Sequence, residues 1–256
     1  MGKENKNHKE KESAESIINN SGHKLHLRVA SLLENEGWNV SISPYYIDDL
    51  TDKPREIDII ASKYFTYTSK SDNEQKRFYF LLGIDCKYLT ENVVIWARDN
   101  KIKAEALFTN VDSYFKPMLA TQQSWCAYSR FLHVGRLISE GGKSSLQEGI
   151  LQAVKAILDA YTRSNTLTIF FPSVVYELGN GVNIYSIGDG IKHSKEHTPI
   201  KGNWIYHVDY AYRENNKPRQ RQFYVDLVNE KTLLDYLQVL EKDGRTIAQE
   251  FEFYSK

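Results

Sequence analysis

An aspartate and a lysine two positions apart, Asp85 and Lys87, stand near the end of the apolar run FYFLLGIDCKYL, residues 78–89. Such a run reads as a strand. Strand side chains alternate faces, so Asp85 and Lys87 share one face while Ile84, Cys86 and Tyr88 take the other. Upstream, PREIDII places Asp58 among isoleucines, with Glu56 two residues earlier on the same strand face. Pairing of these two strands would converge three acids and a lysine. A buried charge left unpaired costs about 3–5 kcal/mol, so the cluster requires compensation. Two forms are open: an ion pair in which Lys87 neutralises Asp85 or Asp58, or a divalent cation. Carboxylates are the hard oxygen ligands that Mg2+ takes, and Mg2+ keeps waters that substrate oxygens can replace.

Positioning the cluster falls to elements that the sequence signals. SGHKLHLRVASLLENEGW carries Leu25, Val29, Leu32 and Leu33 at helical spacing, with Gly37 where a glycine stop belongs. WNVSISPYY (38–46) and REIDIIASKYF (55–65) are rich in β-branched and aromatic residues, and DDLTDKP between them predicts a hairpin. After the polar TSKSDNEQK, the 78–89 run makes a third strand. ARDNKIKAEALFTNVDSYFK reads as helical, and SSLQEGILQAVKAILDAYT (144–162) as an amphipathic helix with Leu146, Ile150, Val154, Ile157 and Leu158 on one face. TLTIFFPSVVYEL, VNIYSI, GNWIYHVDYAYR and RQFYVDLV add strands, and EKTLLDYLQVLEKDG (230–244) adds a helix stopped by glycine. With no internal repeat and no Pro/Gly-rich linker, residues 15–256 read as a single α/β domain behind a flexible polar tail, residues 1–14.

The order helix, strand, Asp58 strand, then DCK strand resembles the PD-(D/E)XK nuclease superfamily. Its signature is an acid in one strand and, ten to thirty residues on, an acid-x-lysine in the next, preceded by a helix. HLRVASLLENEGWNV is similar to the family's first helix, including the glycine-aromatic step, and the likeness is clearest over residues 21–90. The resemblance implies a restriction-endonuclease-like fold, a mixed central β-sheet flanked by helices, and a metal-dependent phosphodiester hydrolase, an endonuclease before an exonuclease. It implies Asp58 and Asp85 as ligands of Mg2+, with Mn2+ substituting, the Cys86 carbonyl as a further ligand, and Lys87 positioning or deprotonating the attacking water. It also implies a nucleic-acid substrate, DNA before RNA, and a homodimer that cuts both strands. Where many members carry a glutamate on the first helix, three residues before a valine, this chain has His26, which either hydrogen-bonds a metal-bound water or phosphate or packs half-buried. That departure favours the alternative, a catalytically inactive nuclease-fold module for nucleic-acid binding or protein interaction.

Composition limits other readings. Lysine plus arginine number 33 and aspartate plus glutamate 33, so a nucleic-acid surface must come from local basic patches. Two stand out: Arg98, Lys101 and Lys103 after the motif strand, and Arg213, Lys217, Arg219 and Arg221 in RENNKPRQRQ, which serves equally as a solvated turn. Cys86 and Cys126 have no CxxC partner, which excludes a zinc ribbon or disulfide framework and fits a reducing, cytoplasmic setting. No apolar run reaches membrane-span length, so no membrane partner is expected. EGGKSS lacks the leading glycine of a phosphate loop, Leu137 standing there, and HSKEH lies in a polar stretch that reads as solvated. The 17 tyrosines fall mostly in strand-like segments, where packing explains them.

Overall fold

The computed structural model describes residues 23–98, 134–139, 145–187, 198–199, 203–214 and 217–254. Helix α1 (His23–Asn35) turns Leu25, Val29, Ala30 and Leu33 inward. It ends as its glycine dictates: Gly37 takes φ 77°, and the amides of Gly37 and Trp38 donate to the carbonyls of Glu34 and Leu33, each at 3.0 Å. Strands β1 (Asn39–Ile42), β2 (Tyr45–Asp48), β3 (Lys53–Glu56), β4 (Ile59–Thr68) and β5 (Gln75–Leu89) follow, then β6 (Val93–Arg98) and β7 (Val134–Ser139). Helix α2 (Ser145–Arg163) leads to β8 (Thr168–Leu178), β9 (Ile184–Ile187), β10 (Thr198–Pro199), β11 (Trp204–Glu214) and β12 (Lys217–Asn229). A 3-10 turn (Glu230–Thr232) opens into helix α3 (Leu233–Tyr254).

Among the described residues ten strands form one mixed sheet in the order β1-β4-β5-β8-β12-β11-β7-β6-β9-β10, a mixed α/β arrangement. β1, β4 and β5 pair antiparallel, whereas β8 runs parallel to β5 with Asp85 opposite Val174 and Lys87 opposite Tyr176. A parallel return needs a long crossover, and α2 lies within it. One apolar cluster joins α1 and α3 to Phe78, Phe80, Leu82, Ile84 and Cys86 of β5. A second joins Leu146, Ile150, Val154 and Leu158 of α2 to Val174, Tyr176 and Val225. The alternation read from the sequence holds: Ile84 and Cys86 face α1, while Asp85 and Lys87 face α2. Among the described residues no helix is long and apolar enough to cross a membrane.

Several elements differ from the sequence reading. The hairpin expected from residues 38–65 is interrupted: at Ser43 (φ 52°) the chain turns into Pro44, which has no N–H to extend a ladder, and β2–β3 forms a separate two-stranded sheet before β4 resumes. Residues 97–98 end strand β6 rather than opening a helix, and β6 and β7 were not legible as strands. The tail, residues 99–116 of the expected helix, HSKEH, and 140–144 of EGGKSS lie outside the described residues. Helix α3 runs through Gly244 instead of stopping there.

Close packing explains that glycine. A Cβ at Gly244 would lie 2.1 Å from Cζ of Phe65, a ring already stacked on Phe78 with centroids 5.4 Å apart. On an open helix Gly→Ala gains up to about 1 kcal/mol, but overpacking a core costs about 1–3 kcal/mol. Gly244→Ala is therefore expected to destabilise the chain by about 2 kcal/mol in urea unfolding, and Phe65→Leu in the same chain to recover part of the loss.

Candidate functional site

Asp58 stands immediately before β4, one step beyond the Ile59–Ile84 pair, and so arrives beside the acid-x-lysine segment of β5. Its Oδ2 accepts the amide N–H of Cys86 at 2.7 Å, and Nε2 of His26 lies 3.0 Å from the same oxygen. A backbone donor fixes the carboxylate more firmly than a side chain could, because it has no rotamer to lose. Helix α1 supplies His26, and its rotation is set two residues on by Arg28. That guanidinium contacts Glu177 of β8 at 2.6 Å and Glu230 of the 3-10 turn at 3.1 Å. His26, Asp58 and Cys86 each offer a ligating atom, and these atoms lie within 4.8 Å of one another.

On the α2 face, Lys87 Nζ sits 2.7 Å from Oδ1 of Asp85, an oxygen paired by charge rather than by an aligned hydrogen bond. The side chains of His26, Asp58 and Lys87 keep 13%, 19% and 21% of their surface open, whereas Asp85 keeps 2%, so the cluster has one sealed member and three reached from solvent. Burial pushes the Asp85 carboxyl up to about 6, with the Asp58 charge adding to the rise and Lys87 and His26 opposing it. Burial and the same two carboxylates drive the Cys86 thiol well above its usual range, so it is protonated. Two carboxylates, Asp58 and Asp85, thus stand with the Lys87 ammonium and the His26 imidazole. The group of side chains whose ligating atoms the fold gathers is His26, Asp58 and Cys86, and Asp85 is not among them.

Sequence reasoning missed two residues that shape this site. Gly149 of α2 lets the helix backbone come within reach of the pair, since a Cβ there would lie 2.9 Å from Lys87 Cε and 3.0 Å from Asp85 Oδ1. Its signal was a glycine inside an otherwise regular amphipathic helix. Tyr46 of β2 is buried against Ile57 and Ala156. Its phenol is pushed up to about 12 by burial and by the charges of Asp48 and Asp85, which keeps it neutral. Its signal was absent, because it depends on where the β2–β3 sheet docks. That docking is an ion pair, Lys155 of α2 to the buried Asp48 at 2.6 Å.

Other expected residues fall elsewhere. Glu56 is exposed in β3 and belongs to the small sheet, so the third acid does not join Asp58 on a common strand face. Arg98 ends β6 opposite Val134, and its side chain, like Lys101 and Lys103, lies outside the described residues. Lys217 and Arg219 are exposed near the start of β12, Arg213 near the end of β11, and the Arg221 guanidinium lies over the ring of Tyr161 at 5.7 Å. Tyr161 follows Gly149 by twelve residues, roughly 18 Å of helix at 1.5 Å each, so this basic strand pair does not border the acid–lysine cluster.

Comparisons with protein-family models, curated proteins and solved structures found no match.

The raised Asp85 carboxyl has a stability consequence with a definite sign. A folded-state value above the unfolded 3.8 means that stability is greatest when the group is protonated and falls as pH rises from about 4 through about 6. Relative to wild type, Asp85→Asn is expected to gain about 2–3 kcal/mol in urea-unfolding stability between pH 4 and pH 8. An unchanged difference across that window would contradict the assignment.

Proposed function

We propose that the chain is a restriction-endonuclease-like, Mg2+-dependent nuclease acting on DNA, with Asp58, Asp85 and Lys87 as its working residues. The observation that carries this reading is the hydrogen bond from the Cys86 amide to Asp58, which ties the lone acid to the acid-x-lysine strand. The main-sheet order α1, β1, β4, β5, α2, β8, with β2–β3 and β6–β7 intervening, is compatible with the mixed central sheet flanked by helices that the resemblance implies. Asp58, Asp85 and the Cys86 carbonyl would hold the cation, which when bound supplies a Lewis acid for the phosphodiester and a lower pKa for a water.

The chain's own residues divide the remaining work. Lys87, held beside Asp85 and partly open, places an ammonium where the attacking water and the scissile phosphate gather negative charge. His26, on Asp58, orients that carboxylate and offers a proton donor or acceptor at its edge. Helix α2 packs over Asp85 and Lys87 at Gly149, closing that side of the pair. A duplex lying on the cluster would meet Lys217 and Arg219 only beyond about five base-pair rises of 3.4 Å, making them flank contacts.

A second reading, the inactive nuclease-fold module, is favoured by one observation: His26, standing where the family's helix glutamate is expected, engages Asp58 Oδ2 at 3.0 Å. Incubation with plasmid and linear DNA in Mg2+ or Mn2+, followed by EDTA, separates the two. Chelator-sensitive cleavage that falls by about a hundredfold or more in Lys87→Ala supports the nuclease. Binding without cleavage of any nucleic acid supports the module.

Gly149→Ala tests the same arrangement from the helix side. The methyl would meet both the lysine stem and the buried Asp85 carboxylate, so the Asp85–Lys87 pair must shift while the helix gains propensity. The expected result is turnover reduced by about tenfold, with an unfolding midpoint changed far less than by Gly244→Ala.

A further inference from the structure

The side chain of Cys86 opens a different possibility from its backbone. Strand alternation turns the thiol away from Asp85 and Lys87, toward α1, where His26 and Asp58 already meet at 3.0 Å. One imidazole nitrogen, one carboxylate oxygen and one sulfur then lie within 4.8 Å of one another. Tetrahedral Zn2+ binds such atoms at about 2.0–2.3 Å, which spaces ligands roughly 3.4–3.8 Å apart, so the cluster closes on an ion with small side-chain shifts. This donor set differs in kind from a pair of carboxylates. Sulfur and imidazole select borderline and soft cations over Mg2+.

We infer that His26, Asp58 and Cys86 form a binding site for a thiophilic divalent cation of the Zn2+ class, distinct from the hard-cation pair at Asp58 and Asp85. Binding forms bonds from the metal to His26 Nε2, an Asp58 oxygen and Cys86 Sγ, and the thiol proton leaves to solvent. Nothing is oxidised or reduced. Asp58 is common to both sites, so a thiophilic ion there withdraws the carboxylate from the hard cation. The remaining coordination position is open on the solvent side, where His26 and Asp58 retain exposure.

Cobalt(II) is the probe, because a thiolate ligand gives it a near-ultraviolet sulfur-to-metal charge-transfer band and Mg2+ gives none. The metal-free full chain is titrated with Co2+ as wild type, Cys126→Ser, Cys86→Ser and His26→Gln. The expected result is the band in wild type and Cys126→Ser, its loss in Cys86→Ser, and its bleaching by added Zn2+, which binds more tightly. His26→Gln should weaken Co2+ by at least about tenfold. No band in wild type, a band surviving in Cys86→Ser, or a band lost in Cys126→Ser would overturn the site. Should Cys86→Ser not fold, unchanged Co2+ affinity in His26→Gln overturns it instead. The readout needs no nucleic acid, so a chain that cleaves nothing can still bind Co2+, and an active nuclease can fail to.

Discussion

The hydrogen bond from the Cys86 amide to Asp58, 2.7 Å long, is the interaction on which the site depends. It forms only because β4 and β5 pair in one register, Ile59 against Ile84 and onward to Thr68 against Gln75. A slip of one residue would carry every side chain of β4 to the opposite face and present Asp58 to a different amide. What forbids the slip is the apolar face beneath, where Ile59, Ala61 and Phe65 interleave with Phe78, Phe80, Leu82 and Ile84. Phe65 and Phe80 stand with ring centroids 4.9 Å apart, and Phe80 and Phe171 at the same separation, so the register is fixed by packing across three strands. The polar cluster is thus a by-product of hydrophobic order a few residues away.

That order tolerates a cluster with internal strain in its charges. Asp85 is buried beside a second carboxylate, and its ionised form is opposed by both effects, with only Lys87 and His26 working the other way. Such an arrangement is a net loss to stability at neutral pH, yet the surrounding fold holds it: α2 is pinned to the β2–β3 sheet by Lys155 and Asp48, and α1 to β8 by Arg28 and Glu177. The half-exposed Arg28–Glu177 pair matters more for position than for energy, since exposed ion pairs contribute about 0–1 kcal/mol, whereas Asp48 is buried and depends on Lys155 to stay charged. The effect of the two pairs is to leave each helix one rotation, with His26 toward Asp58 and Gly149 toward Asp85.

Local patterns in the sequence reached far into this structure. The first helix with its glycine stop, the strand alternation at residues 84–87 and the amphipathic helix, expected at 144–162 and found at Ser145–Arg163, all express short-range periodicity that burial then reinforces. What escaped depended on partners distant in sequence. The excursion through β2 and β3 removed Glu56 from the cluster, because nothing local distinguishes a hairpin strand from a strand of the main sheet. Gly244 read as a stop because a glycine near a helix end usually is one; the ring of Phe65, far away in the chain, makes it a point of close packing instead. Arg213, Lys217, Arg219 and Arg221 were legible as a basic stretch, but their separation from Lys87 follows from how β12 and α2 are aligned, which no window of sequence contains.

The middle residue of the acid-x-lysine stretch, Cys86, has a place of its own in the geometry. Alternation obliges the side chain at this position to leave the face of its two neighbours and enter the face of the first helix. In this chain the residue is a cysteine, the helix presents His26, and the loop acid Asp58 stands at the strand end with its carboxylate held by His26 and the Cys86 amide. Its surroundings there contain nitrogen and sulfur. A leucine or valine at position 86 would preserve the strand and the amide donor while removing the sulfur. The choice of a thiol in a place that asks only for an apolar side chain is therefore where this molecule departs from the minimum its fold requires.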